Sequence, residues 1–146
     1  VFMDTEADKK AVEEAAHMLS IESLLDRFFG ELSSGERKLV LLAAAIARKT
    51  PVILLDEPTA FLDLANQSRV LKVIRDLANR GCTVVMATHE LHLVPSYADK
   101  VLLISHGVQV GYGSPDEVLK RGVLERVYGT RLIEFTRNGQ RLFIPE

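Results

Sequence analysis

Leu32-Ser33-Ser34-Gly35-Glu36 opens an apolar run that reaches Arg48, and Val52-Ile53-Leu54-Leu55-Asp56-Glu57-Pro58 follows. A small-residue turn at the head of a helix leaves backbone N–H groups without intrahelical partners, pointing outward where phosphate oxygens can be cradled. An apolar run ending in two carboxylates reads as a buried strand that delivers both acids to the end of a sheet, where α/β proteins bind ligands. One end of the stretch suits anions; the other suits a metal and a water.

Working outward, Ser33 or Ser34 can cap a helix over 35–48, rich in Ala and Leu and expected to be buried on most sides. Thr50-Pro51 ends it, and 52–55 is the first core strand. A helix over 65–80 buries Val70, Val73, Ile74 and Leu77 and stops at Gly81. Apolar strands follow at 83–87 and 101–104, so strand, helix and strand, with both strands buried, predict a parallel sheet in an α/β fold. Upstream, 4–19 has the period of an amphipathic helix, capped by Asp4 or Thr5, and 21–28 forms a second short helix. Downstream, His106-Gly107 turns into Val108-Gln109-Val110, and Ser114-Pro115-Asp116-Glu117 starts a helix with a capping box. Lys120-Arg121-Gly122 separates two short helices, and Asn138-Gly139 joins the two strands of a hairpin.

Composition bounds the class. The chain has 146 residues, 47% hydrophobic and 26% charged, which suits one globular unit with a core. Its net charge of −2, with acids and bases interspersed, gives no electrostatic basis for binding nucleic acid or an anionic membrane. The single cysteine, Cys82, excludes an internal disulfide and is expected to be a buried thiol in a reducing compartment. No apolar run approaches the roughly 20 residues of a membrane span, and no signal peptide opens the sequence.

The order of motifs resembles the nucleotide-binding domain of ABC-type ATPases over nearly the whole chain. Leu32 to Glu36 is similar to the signature loop, and Val52 to Glu57 to the Walker B strand with its following acid. Phe61-Leu62-Asp63 resembles the D-loop, Ala87-Thr88-His89-Glu90 the switch-histidine loop, and 111–119 the end of the core. Position 34 holds serine where glycine is commonest, and Glu36 stands where glutamine is commonest. No stretch reads G-x-x-x-x-G-K-[ST], so the P-loop and its lysine are not in this sequence.

The resemblance implies a partial RecA-like P-loop NTPase core with a parallel sheet (35–112). It also implies part of the helical signature subdomain (1–34) and C-terminal helices with a β-hairpin (113–146). It implies ATP and Mg²⁺ as cofactors. Hydrolysis needs a metal across the β- and γ-phosphates, a positioned water and donors to the γ-phosphoryl oxygens. Asp56 suits the metal and its waters, and Glu57 the attacking water as general base or positioning group. His89 is placed as the γ-phosphate switch. Ser33, Ser34, Gly35 and Glu36 act in trans on a nucleotide held by the other subunit, and Asp63 couples the two sites. Read alone, Ser33 to Glu36 is also an ordinary helix cap, and Asp63 a cap for the next helix. Arg37 and Lys38, badly placed for the helix dipole, face either an anion or partner, or solvent.

The implied partners are a second nucleotide-binding subunit in a homodimer, transmembrane permease subunits touched by Phe28 or Phe29, and a P-loop-bearing N-terminal half. The implied place is the cytoplasmic face of the cell membrane. The tail from Leu124 to Gly129 with its hairpin is similar to importers of iron siderophores, haem and cobalamin. In the family's sheet the P-loop strand lies between 83–87 and 101–104. Its absence predicts open edges that the chain closes by rearrangement, by recruiting another chain or by self-association. A non-catalytic interaction module and a transporter-free ABC ATPase are the alternatives. Chromosome-maintenance ATPases are disfavoured because 3–29 is too short and too weakly heptad-patterned for their coiled coil.

Overall fold

Helix formation begins where the sequence supplies caps. In the computed structural model, which describes residues 5–137 and 140–146, Thr5 accepts the Asp8 N–H and the Asp8 carboxylate accepts the Thr5 N–H. This capping box starts helix α1 (Glu6–Leu19). Asp4, the other candidate cap, and the Asn138-Gly139 turn lie outside the described residues. Ser20, in the left-handed region, reverses the chain after α1. The helix expected over 21–28 does not form. One three-residue 3₁₀ turn, Glu22–Leu24, stands there instead, and a second, Phe29–Glu31, follows beyond it. Ser23 and Asp26 are weak helix formers, and nine residues between a reversal and Gly30 cannot offset the cost of nucleation.

The chain divides into two compact units, one ending at Thr88 and the other beginning at His89. In the first, α2 (Ser34–Ala47) packs on α1. Strand β1 (Val52–Asp56) runs parallel to β2 (Thr83–Ala87), with α3 (Leu64–Asn79) as the crossover. Their shared core joins Ala15, Leu19, Leu42, Ile46, Val70 and Ile74, with Leu55, Val84 and Met86 of the strands against it.

Three expectations fail here for a common reason. The strands are covered on one face only, because period-2 alternation turns Leu55, Val84 and Met86 to the core and Val52, Leu54 and Val85 to solvent. Helix α2 buries one stripe, Leu39, Leu42, Ala43 and Ile46, and exposes Leu41. Cys82 is half-buried, with Sγ 3.6 Å from the Thr50 carbonyl oxygen.

The second unit holds α4 (Val94–Tyr97), the antiparallel pair β3 (Val101–Ser105) and β4 (Val108–Gly113), α5 (Pro115–Val118) and α6 (Arg121–Tyr128). It closes with the antiparallel pair β5 (Leu132–Arg137) and β6 (Gln140–Pro145). Its core is Leu103, Val118, Leu119, Leu124, Leu132 and Phe143. His106 and Gly107, both at positive φ, make the tight β3–β4 turn. Ser114 and Glu117 form the expected capping box, and the break between α5 and α6 falls at Leu119-Lys120 because Arg121 is already helical. Among the described residues β2 pairs only with β1 and β3 only with β4, so no rearranged pairing joins β2 to β3.

Candidate functional site

The residues singled out by sequence fall into four places: the head of α2, the end of β1, the turn leading to Asp63, and His89 at the start of the second unit. At the head of α2, Ser33 is the N-cap. Its Oγ accepts the Glu36 N–H at 3.3 Å, and Glu36 Oε2 accepts the Ser33 N–H at 2.8 Å. The Ser33 N–H holds the Glu36 carboxyl below the usual carboxylate range, assisted by the Ser33 hydroxyl and by Arg27. The capping interpretation of Ser33 therefore holds in this structure. Ser34 is the first helical residue and Gly35 follows, leaving the backbone N–H groups of the first turn directed outward.

At the end of β1, Asp56 lies opposite Ala87 in register and is exposed. Glu57 comes next with φ of +46°, and its N–H donates to the Ala87 carbonyl at 3.0 Å, extending the ladder one step past the strand. That left-handed kink, uncommon for a residue with a side chain, turns the chain sharply out of the sheet immediately after the two acids. Among the described residues no group of three or more His, Cys, Asp or Glu side chains is arranged to hold a metal. One exposed carboxylate at a strand end still suits Mg²⁺, which keeps most of its waters and takes few protein ligands when phosphates share it.

From Glu57 to Asp63 the chain makes two successive turns, Ala60 N–H to the Glu57 carbonyl and Leu62 N–H to the Thr59 carbonyl. Thr59 is fully buried beneath them. Phe61, at φ of +65°, presents its ring to solvent, 91% exposed. Asp63 caps α3, its Oδ1 accepting the Asn66 N–H at 2.8 Å, and this backbone donor is the main cause of its lowered pKa.

The structure joins the first place to the third. A Cβ on Gly35 would lie 3.5 Å from Leu62 Cδ2 and 3.8 Å from the Phe61 carbonyl oxygen, so the two loops touch. Of the readings open for Arg37 and Lys38 (an anion or partner, or solvent), Arg37 is exposed and donates to the Gly30 carbonyl at 2.8 Å beneath the Phe29 ring. Lys38 is half-buried and donates to the Ala60 carbonyl at 3.2 Å beside the Phe61 ring. No local pattern pairs Arg37 with Phe29 or Lys38 with Phe61; the fold brings each cation to its ring. His89 opens the second unit and is exposed.

A family model described as "AAA domain, putative AbiEii toxin, Type IV TA system" matches residues 5–94. The hemin import ATP-binding protein of Rhodococcus jostii is 40% identical over 140 residues, which are 94% of this chain and 48% of that protein. The vitamin B12 import ATP-binding protein of Vibrio cholerae is 37% identical over 141 residues, 90% of this chain and 56% of that protein. A solved ABC transporter of metal-chelate type, in an inward-facing conformation, superposes with a TM-score of 0.85 at 33% identity, covering 99% of this chain and 59% of that one.

The chain belongs to the family of that AAA-domain model, and its relatives are ABC transporter ATP-binding proteins.

This ABC-type chain spans about half the length of the curated relatives it matches. Its mixed α/β architecture, with a parallel strand pair and small antiparallel hairpins, is that of ABC ATPase domains. A dimeric post-hydrolysis ATP-binding cassette holding ADP and phosphate also superposes, with a TM-score of 0.70 at 25% identity over 79% of this chain.

Proposed function

We propose that this chain supplies water activation and trans-acting γ-phosphate recognition in an ATP-hydrolysing subunit of a membrane importer. The observation that carries the reading is the strand end, where Asp56 closes β1 opposite Ala87 and Glu57 follows in a left-handed kink with its N–H on the Ala87 carbonyl. Asp56 would hold Mg²⁺, which supplies charge neutralisation across the β- and γ-phosphates when the nucleotide is bound. Glu57 orients the attacking water or takes its proton. The N–H groups at Ser34 and Gly35 and the Ser33 hydroxyl meet the γ-phosphate of a nucleotide held by a second subunit. His89 contacts the same phosphate, and Asp63 links the two sites of the dimer.

The nucleotide's remaining phosphates are held by a P-loop-bearing half. The uncovered face of β1 and β2, with Val52, Leu54 and Val85 exposed, supports docking of such a half there. In our reading 1–34 belongs to the helical subdomain, 35–112 to the ATPase core and 113–146 to a C-terminal extension. The imported cargo is an iron siderophore, haem or cobalamin, a class supported by the hemin and vitamin B12 import relatives. Permease subunits hold the protein at the inner face of the membrane. Among the described residues no helix is long and apolar enough to cross it.

Phosphate release from Mg-ATP, measured with and without a P-loop-bearing half, tests this. Release appears only with both halves and falls at least about a hundredfold in Glu57→Gln, as removal of a general base does. Release that is absent with both halves present would favour a non-catalytic module.

A further inference from the structure

The strongest feature that the reading above leaves unused is Lys38. It sits one turn into α2 with its stem half-buried, where a cation is disfavoured by the helix dipole. Its ammonium donates to the Ala60 carbonyl at 3.2 Å and lies 5.8 Å from the centre of the Phe61 ring. Ala60 in turn donates its N–H to the Glu57 carbonyl. Lys38 thus connects α2 to the turn that begins at the water-activating acid and ends at Asp63.

The segment it grips needs gripping. Glu57 and Phe61, four residues apart, both hold positive φ, and neither is glycine, so each conformation is strained and persists only where surroundings enforce it. Phe61 is buried in nothing, so packing does not enforce its conformation. The turn is held at its start by the Ala87 carbonyl, which accepts the Glu57 N–H, and in its middle by Gln67, whose side-chain amide donates to the Thr59 carbonyl at 3.3 Å. At its far end Leu62 sits against Gly35, and the Lys38 ammonium serves the carbonyl before Phe61 and the ring of Phe61 together.

We propose that Lys38 is a positioning residue that clamps the Glu57–Asp63 turn to the phosphate-binding head of α2. The acid and the loop then reach their respective nucleotides as one rigid body. The clamp is a property of the first unit alone; its catalytic consequence rests on the function proposed above.

Residue-resolved amide hydrogen exchange on the full chain tests the clamp directly. Lys38→Met keeps the stem and removes the cation and its donors. It is expected to speed exchange at the Ala60 and Leu62 amides about fivefold or more, leaving the α1 core amides at their wild-type rates. Lys38→Arg restores most of the protection, and Arg37→Met, which removes the neighbouring cation serving Gly30 and Phe29, leaves these two amides unchanged. Unaltered exchange in Lys38→Met overturns the proposal. So does acceleration spread evenly over α1, α2 and α3, or acceleration equally produced by Arg37→Met.

Assembled with a P-loop-bearing half, Lys38→Met lowers kcat about tenfold with KM for ATP unchanged, since misplacement affects the step and not nucleotide binding. A rise in KM alone overturns the catalytic consequence. If no variant, wild type included, releases phosphate, the functional reading fails while the exchange data still decide the clamp.

Discussion

Ile53 and Leu54 are neighbours in one strand, similar in size, and 6% and 74% exposed. Truncating each to alanine is the sharpest test of the one-sided sheet. Ile53→Ala removes buried methylenes beneath the strand and leaves a cavity, at a cost of about 2–5 kcal/mol. Leu54 has about a quarter of its surface covered, so of the roughly 1.5–3 kcal/mol for full burial it contributes about 0.5 kcal/mol. With a urea slope of about 1–3 kcal/mol per molar, the midpoint falls by about 1–2 M for Ile53→Ala and by about 0.3 M for Leu54→Ala. Far-UV circular dichroism is the right probe, because the long helices α1, α2 and α3 all belong to the first unit. The chain has no tryptophan, and its three tyrosines lie in the second unit. Equal costs at the two positions in the chain alone would refute the reasoning, because Leu54 would then be covered. Repeated with a P-loop-bearing half bound, Leu54→Ala should cost about 1 kcal/mol or more, the burial that docking adds.

Other outcomes follow from the caps and the acids. The folded-state carboxyls of Glu36, Asp63 and Glu117 lie below their unfolded values, mainly through the backbone N–H groups of Ser33, Asn66 and Ser114. Their contribution is therefore full above the unfolded carboxylate range near pH 4 and is lost as pH falls through the lowered folded values. Acid unfolding followed by circular dichroism should be shallower in Glu36→Gln, which keeps the capping box but cannot titrate, and an unchanged acid limb counts against this account. Asp63→Ala should lower the melting temperature while Asp63→Asn, an equally good cap, should not, as thermal melts of both will show. In the assembled enzyme Asp63→Asn isolates the charge, and a loss of phosphate release with stability intact assigns Asp63 a role beyond capping.

Much of the fold was legible because its signals are local. The cap at Ser33, the box at Ser114–Glu117, the stop at Gly81 and the turn at His106-Gly107 each depend on a few adjacent residues, and each stands where the pattern put it. The parallel pairing of β1 with β2 followed from two apolar runs separated by one amphipathic helix. Segment 21–28 was misread because its apolar residues have helical spacing while its Ser and Asp and its shortness favour isolated 3₁₀ turns. The sidedness of β1 and β2 was misread because Val-Ile-Leu-Leu and Thr-Val-Val-Met are apolar on both faces, and composition alone does not say which face the chain itself covers.

The sequence by itself determined the long helices and the strands, most of their caps, and which residue types stand at the strand end and at the helix head, because these are properties of short windows; it did not determine the turns at 22–31 or the short helix α4. Only the tertiary structure decided what those residues touch. Ser33 Oγ accepts a helix N–H, Glu57 leaves the strand in a left-handed kink, and Lys38 reaches the Ala60 carbonyl across 22 positions of chain. A contact at that separation exists only once α1, α3 and the strands have closed a common core around α2, and no periodicity in the sequence encodes it.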